Sequence, residues 1–237
     1  MKTQKYHLLL YLLCPLFLAL AGLVIFVSIA LLAAHQHFLP GEALVYRFVQ
    51  EARSPGLYSF FRLVTKAGTA KVLVPVGLGV LLWKRNQPQV LLFLSLYSLG
   101  VIILERGVKL AVARPRPHDY LGVGLPFHTS HGFPSGHALA ATAFYGMLLV
   151  LLRQKIHSQR GQLIMTTGIL LLIVLISFSR LYLGVHWPGD VLGGLLLGGV
   201  YCVFATTVGE WIGKRAGVRL DVNTIATPGL GERASME

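Results

Sequence analysis

The chain has 237 residues, of which 54% are hydrophobic and only 13% are charged. Soluble domains carry about one-quarter charged residues, so this composition disfavours a soluble protein and predicts a membrane protein. The 21 Lys and Arg outnumber the 9 Asp and Glu and fall between long apolar runs. This distribution disfavours nucleic acid as a partner and leaves an anionic membrane surface or an anionic substrate.

The first apolar run covers residues 8–34 and contains no charged residue. Lys2 and Lys5 would suit the basic start of a signal peptide, but the apolar part of such a peptide has only about 7–15 residues. The run is long enough to cross a hydrocarbon layer of about 30 Å, so we predict a first transmembrane helix that is retained.

The segment that follows, residues 40–68, mixes basic and aromatic side chains. Arg47 and Arg53 lie among Tyr46, Phe48 and Tyr58. Such a mixture favours an amphipathic helix at the membrane interface. A solvated loop is the alternative.

Five further apolar segments occupy residues 70–83, 90–113, 137–152, 163–179 and 188–209. Several approach the length of about 20 residues that a spanning helix needs. We therefore predict an all-α, six-transmembrane-helix bundle that forms a single domain over residues 1–213. The tail at 214–237 is polar and aperiodic, and we predict that it is disordered.

The last of these segments carries small residues at a helical spacing. Gly194 and Gly198 form a GxxxG face of the kind that lets membrane helices pack closely. We assign this face to packing within the chain rather than to dimerisation. The sequence does not specify an oligomeric state.

The distribution of basic residues around six spans predicts the orientation. One end of the bundle holds Lys2, Lys5, Lys84, Arg85, Arg153, Lys155, Arg160, Lys214, Arg215 and Arg219. The positive-inside rule makes that end cytoplasmic, together with both termini. We expect a bacterial inner or plasma membrane protein with Trp187 at the outer interface and with Trp83 and Trp211 at the inner interface, as in an aromatic belt.

Three polar groups interrupt the apolar pattern, and all fall on the predicted outer side. Their sequences are KLAVARPRP at 109–117, FPSGH at 133–137 and SRLYLGVHWPGD at 179–190. Ionisable groups at membrane depth are costly, so their convergence at one level of the bundle predicts a functional site.

The chemistry of these groups suits a phosphoryl ligand. Backbone N–H groups at a helix N-terminus bind anions, guanidinium forks match phosphate oxygens, and an ammonium group adds a point charge. Pro134 and Pro188 suit the first turn of a helix and so predict two such N-termini. The predicted phosphate-binding residues are Lys109, Arg116, Ser135, Gly136 and Arg180.

Two histidines and a carboxylate supply the predicted reaction chemistry. His186 and Asp190 are four residues apart across a helix start, so their side chains can meet on one face. A carboxylate on one ring nitrogen fixes the tautomer and leaves the other nitrogen free to attack phosphorus. His137, from another helix, is placed to protonate the leaving oxygen and later to deprotonate water.

Taken together, the three groups resemble the signature of the type 2 phosphatidic acid phosphatase (PAP2) superfamily, which also includes vanadium haloperoxidases and bacterial acid phosphatases. That signature is Lys-x6-Arg-Pro, then Pro-Ser-Gly-His, then Ser-Arg-x5-His-x3-Asp, and every defined position is matched in order from Lys109 to Asp190. The resemblance implies a metal-independent lipid phosphatase of the membrane branch. It also implies that His186 is the nucleophile, Asp190 its orienting partner and His137 the acid and base.

The acidic residues also argue against a metal, and we expect no cofactor. A two-metal phosphatase needs several clustered carboxylates, whereas only Glu105, Asp119 and Asp190 lie near the motifs. His128 and His131 have near-ligand spacing but no third ligand, so we expect them to line an entrance loop at 114–133 rather than to bind zinc.

Three charged residues near the motifs have interpretations outside the reaction itself. We expect Glu105 to be a structural partner of a nearby arginine. Arg106 and Arg114 fit either snorkelling to the membrane interface or a supporting position behind the residues that contact the phosphate.

Three functions remain open at this stage. The first is a phosphatase of lipid phosphate monoesters or diphosphates, such as phosphatidate, phosphatidylglycerophosphate, undecaprenyl diphosphate or a lipid A phosphate. The second is a lipid phosphotransferase that uses the same phosphohistidine. The third, a non-catalytic channel or lipid-binding protein, is disfavoured because His186, Asp190 and His137 are all present.

Overall fold

A computed structural model of the protein describes residues 2–36, 39–83, 88–117, 131–153 and 155–215. Within these ranges all of the regular secondary structure is helical, with no strand. In chain order the helices are α1 (Lys2–Gln36), α2 (Glu42–Glu51), α3 (Pro55–Val64), a 3-10 turn (Thr65–Gly68), α4 (Ala70–Trp83), α5 (Pro88–Val112), α6 (Gly136–Arg153), α7 (Gln159–Tyr182) and α8 (Pro188–Arg215). The predicted all-α class is confirmed.

Four of the described helical segments are long and apolar enough to cross a membrane. They are Leu16–Gln36, Gly136–Arg153, Gln159–Tyr182 and Pro188–Gly209. A fifth is obtained if Pro55–Gly68 and Ala70–Leu82, which meet at a bend of 45°, act as one broken span. Helix α5 has 25 residues, but its first side chains lie outside the described part. The number six therefore stays a prediction.

The segment at 40–68 is helical, so the alternative of a solvated loop is wrong. Ser54 caps α3 by accepting a hydrogen bond from the Leu57 N–H at 3.4 Å, and Pro55 occupies the first turn. Exposed apolar side chains such as Phe48 and Leu63 occur on both α2 and α3. The segment is thus a pair of short helices, the second of which continues through a bend into α4, rather than one interfacial helix.

Hydrogen bonds tie the connection between α2 and α3 to the end of α7. The Gln50 side chain donates to the Leu181 carbonyl at 2.9 Å, and the Arg53 Nε donates to the Tyr182 carbonyl at 2.8 Å. The Ser54 N–H donates to the Tyr182 hydroxyl at 2.9 Å. These bonds hold α2 and α3 over the end of the bundle to which the motif residues converge.

The centre of the bundle is the contact between α6 and α8, and it depends on the two predicted glycines. A Cβ on Gly194 would lie 2.6 Å from the Ser135 carbonyl oxygen, and one on Gly198 would lie 2.8 Å from the Leu139 carbonyl oxygen. Neither position has room for a side chain, so the backbones of the two helices approach directly. The prediction that the GxxxG face packs within the chain is confirmed.

Trp187 does not lie at the lipid interface, and that prediction is wrong. Its side chain is buried, its ring packs 4.9 Å from the ring of Tyr46, and its Nε1 donates to the Pro115 carbonyl at 3.3 Å. An indole whose N–H has a buried hydrogen-bond partner is stable inside the protein. The aromatic-belt pattern therefore predicts the wrong position for Trp187. The side chains of Trp83 and Trp211 lie outside the described part.

Two predicted regions fall largely outside the structure's described ranges. Residues 118–130, which include Asp119 and His128, make up most of the predicted entrance loop. Residues 216–237 make up most of the predicted tail, while α8 continues to Arg215, past the predicted domain end at 213. The division into one domain and a tail stays a prediction.

Candidate active site

The three motif groups converge on one cavity of about 730 Å³. Its wall includes six of the eight predicted site residues: Lys109, Arg116, Gly136, His137, Arg180 and His186. Asp190 lies behind His186 and is fully buried. Ser135 is also fully buried and does not reach the cavity wall.

The pair of His186 and Asp190 forms where α8 begins. Pro188 starts the helix, and the Asp190 carboxylate in its first turn reaches back to accept the Trp187 N–H at 2.9 Å. The same oxygen lies 3.3 Å from Nδ1 of His186, which precedes the helix. Because the carboxylate faces Nδ1, the Nε2 atom is the ring nitrogen left for another partner.

The surroundings of His186 favour its neutral form. Burial holds the pKa of His186 well below its usual value, and the charges of Arg116, Arg180 and Lys109 lower it further. A hydrogen bond to the Gly132 backbone acts in the opposite direction. These causes favour the uncharged imidazole, which is the form that carries a nucleophilic lone pair.

Each of the three cations on the cavity wall has a distinct anchor. Lys109 Nζ lies 2.6 Å from a Glu105 carboxylate oxygen, and an Arg116 Nη1 donates to the Val185 carbonyl at 3.3 Å. Arg180 Nη1 donates to the Thr65 hydroxyl at 2.7 Å. These contacts orient the three side chains towards the cavity, where their positive charges together favour an anion.

Two buried polar atoms near this space lack a hydrogen-bond partner among the described residues. They are the Arg180 Nε and the Ser135 hydroxyl. Buried donors are normally satisfied, and Arg180 lines the cavity, so its Nε is placed to donate to a group that binds there. A phosphoryl oxygen can accept this hydrogen bond, whereas the Ser135 hydroxyl does not reach the cavity wall.

His137 reaches the cavity from the first turn of α6. It packs against Gly68, where an added Cβ would lie 3.3 Å from the His137 Cδ2 atom. The helix begins at Gly136, so Pro134 precedes it by two residues instead of occupying its first turn. A Cβ at Gly136 would overlap the Glu105 carboxylate, which explains why a glycine stands there.

Arg114 and Glu42 form a buried network that the sequence analysis did not foresee. Arg114 Nη1 donates to the Asp190 Oδ1 at 2.7 Å, and its Nη2 donates to Glu42. Glu42 also accepts the N–H groups of Leu39 at 2.8 Å and of Gly189 at 3.2 Å. Arg114 therefore binds the Asp190 carboxylate from within the protein, which rules out snorkelling and agrees with a supporting position behind the site.

The network fixes the position of Asp190 from the side opposite His186. Arg114 has no exposed side-chain surface, and Glu42 is only 4% exposed. Burial raises the pKa of Glu42, while the Leu39 N–H and the charge of Arg114 lower it. The sequence signal for Glu42 is weak: it is one of two acids in a basic segment, and it stands at the start of a helix.

Replacing Arg114 by methionine is expected to lower the free energy of unfolding by about 3–5 kcal/mol, because Glu42 and Asp190 lose their buried counter-charge. Turnover should fall by about 10²-fold in the fraction that stays folded, since Asp190 is no longer held in place. Arg106→Met, which removes an exposed cation from α5, is the matched control. Denaturant titration in detergent measures stability, and an Arg114→Met protein as stable as this control would contradict the assignment.

Glu105 is paired with Lys109 and not with an arginine as predicted. The two residues are one turn apart on α5, so the ion pair is local. Within the described ranges no three His, Cys, Asp or Glu side chains gather as a metal site requires. Both described carboxylates at the site, Glu105 and Asp190, are engaged by cations.

The fold and the site define a helical membrane protein with a cationic centre that contains two histidines. Residues 89–214, more than half of the chain, match the PAP2 superfamily. The chain belongs to that superfamily.

Relatives of the chain are membrane lipid phosphatases. It is 29% identical over 184 residues to an undecaprenyl-diphosphatase of Sulfolobus acidocaldarius, which covers 76% of this chain and 84% of that protein. It is 29% identical over 153 residues to phosphatidylglycerophosphatase B of Bacillus subtilis, which covers 62% of this chain and 72% of that protein.

A solved structure supports the fold. The crystal structure of a transmembrane PAP2-type phosphatidylglycerolphosphate phosphatase from Bacillus subtilis superposes with a TM-score of 0.72. The alignment covers 82% of this chain and 96% of that chain at 24% identity. At this identity the likeness extends to the fold alone.

Proposed function

We propose that this protein hydrolyses lipid phosphate monoesters or diphosphates through a phosphohistidine at His186. The observation that carries the proposal is that a single cavity has both a charged end and an apolar wall. One end holds His186, His137 and three cations, and the remaining wall is predominantly apolar. A phosphorylated lipid has the same division between a charged head and an apolar chain.

The apolar part of the cavity runs along α4 and α5. Residues of α4 on its wall are Ala70, Leu73, Val74, Gly77, Leu78 and Leu81, and those of α5 are Leu94, Tyr97, Ser98, Val101 and Ile102. These helices are apolar along most of their length. A lipid chain bound there would stay in a hydrocarbon-like environment while its phosphate reaches His186.

The first chemical step forms a bond between His186 and phosphorus. The lone pair of Nε2 attacks the phosphorus atom while Asp190 accepts the Nδ1–H, and the bond to the leaving oxygen breaks. His137 gives a proton to that oxygen, and the lipid alcohol, or a lipid phosphate from a diphosphate, departs. Lys109, Arg116 and Arg180 balance the charge on the phosphoryl oxygens.

The second step returns His186 to its original state. His137, now lacking its proton, accepts one from a water molecule that attacks phosphorus. The P–N bond breaks, and inorganic phosphate leaves. A phosphotransferase would follow the same course with a second lipid alcohol in place of water.

Metal independence is part of the proposal. The site balances phosphate charge with three cationic side chains, and the carboxylates of Glu105 and Asp190 are held by Lys109 and Arg114. Oxygen ligands that Mg²⁺ would require are thus already committed to other partners.

The orientation and membrane also remain proposals. The end of α5 that carries Lys109, the end of α7 that carries Arg180 and the start of α8 meet at one end of the bundle. We place that end on the outer side of an inner or plasma membrane. The names of the two relatives, an undecaprenyl-diphosphatase and a phosphatidylglycerophosphatase, supply the first substrates to test.

Phosphate release from purified protein in detergent and excess EDTA is expected with at least one lipid of a panel. The panel comprises phosphatidate, phosphatidylglycerophosphate, undecaprenyl phosphate and undecaprenyl diphosphate. Product lipids are resolved by chromatography, so a new phosphorylated lipid would indicate transfer instead of hydrolysis. Loss of all release on adding EDTA would overturn the metal-independent mechanism.

A further inference from the structure

We propose that Glu105 determines substrate specificity by setting the charge of the site to suit a single phosphate group and to disfavour a diphosphate. This inference rests on the proposed function. Glu105 is the one carboxylate on the cavity wall within the described residues, and it shares that wall with Lys109, Arg116 and Arg180.

Glu105 lies between the apolar part of the cavity, where we place the lipid chain, and the cationic part, where we place the phosphate. Residues of α5 that line the cavity are Leu94, Tyr97, Ser98, Val101, Ile102, Glu105 and Lys109, which follow one helical face. Glu105 is one turn from Lys109, or about 6 Å along the axis, on the side of the apolar wall. The group next to the scissile bond must therefore pass Glu105.

The carboxylate is held in this position by two neighbours. Its oxygen lies 2.6 Å from Lys109 Nζ. It also lies against the Cα of Gly136, where an added Cβ would overlap it. The negative charge consequently stands at the start of α6, beside His137, rather than in solvent.

The charges on the wall then match a monoester better than a diphosphate. Three cations and one carboxylate leave two net positive charges, while a phosphate monoester carries about two negative charges at neutral pH. A diphosphate brings a second phosphate on the side of the leaving group, which is the side of Glu105. Like charges in a poorly solvated site repel strongly, so the second phosphate is disfavoured.

Glu105→Gln is expected to raise the ratio of kcat/KM for undecaprenyl diphosphate to that for undecaprenyl phosphate by about tenfold. The two substrates share one chain and differ by one phosphate, so the ratio isolates the charge effect. Glu105→Asp, which keeps the charge, should retain the wild-type ratio. Glu51→Gln removes an exposed carboxylate at the end of α2 and should also leave the ratio unchanged.

A binding measurement separates this proposal from the proposed function. Inorganic phosphate and pyrophosphate, each in EDTA, should raise the thermal unfolding midpoint in proportion to their affinity for the folded site. Glu105→Gln is expected to increase the effect of pyrophosphate relative to phosphate even if no lipid is hydrolysed. Failure of the proposed function alone would therefore leave this shift intact.

Two results would overturn the assignment of Glu105. One is an unchanged or lower ratio of diphosphate to monophosphate hydrolysis in Glu105→Gln. The other is an equal loss of both activities together with weaker stabilisation by both anions, which would mean that Glu105 only positions Lys109.

Discussion

Replacing His186 by alanine is expected to lower kcat for lipid phosphate hydrolysis by about 10⁴-fold or more. His186 is the only histidine in the described part of the chain that both lines the cavity and contacts a carboxylate. Without its ring no P–N bond can form, and the cations can bind phosphate but cannot transfer it. The rate of phosphate release in EDTA, measured on the lipid that the wild-type protein prefers, checks this result.

The intermediate itself gives a second readout for the same variant. Wild-type protein mixed with substrate labelled in the transferred phosphate and quenched in base should retain label, because a phosphohistidine survives base and is hydrolysed in acid. His186→Ala should retain none. His157→Ala, which changes an exposed histidine in the connection between α6 and α7, should behave as wild type. Labelling that persists in His186→Ala would place the nucleophile elsewhere.

Replacing His137 by glutamine is expected to lower kcat on lipid substrates by about 10²–10⁴-fold, which is the usual contribution of a general acid or base. The rate of the first step should fall much less with an aryl phosphate, because its leaving group departs without a proton. Water attack on the intermediate still requires a base, so that step stays slow. Labelled phosphoenzyme should therefore accumulate with the aryl substrate.

The two histidine variants are thus expected to differ in kind and not only in degree. His186→Ala abolishes the intermediate, whereas His137→Gln allows it to form and delays its hydrolysis. A burst of aryl alcohol equal to the amount of enzyme, followed by a slow phase, would report this directly in His137→Gln. Equal losses on aryl and lipid substrates with no burst would contradict the role of His137 as acid and base.

The helices could be predicted closely because the relevant signals are local. The apolar run at 70–83 coincides with α4, and the run at 137–152 lies within α6. The contact between His186 and Asp190 also follows from a spacing of four residues where a proline starts a helix. Signals of this kind need no knowledge of the rest of the fold.

The network behind Asp190 could not be predicted, because its members are distant in the chain. Arg114 is 72 residues from Glu42 and 76 residues from Asp190, and only the packing of α2 against the start of α8 brings them together. Trp187 illustrates the same limit, since an aromatic residue beside a predicted span has the same sequence signal whether it faces lipid or is buried.

The sequence by itself determined the membrane character, the helical class and the set of residues that we predict to bind and transfer phosphate. These follow from composition, from apolar runs and from motif spacing, all of which are properties of neighbouring residues. The tertiary structure decided which partner each charge has: Arg114 between two carboxylates, and Glu105 on Lys109 beside the apolar wall. A buried charge needs a counter-charge beside it. Which counter-charge it meets depends on how helices that are distant in the sequence pack against one another.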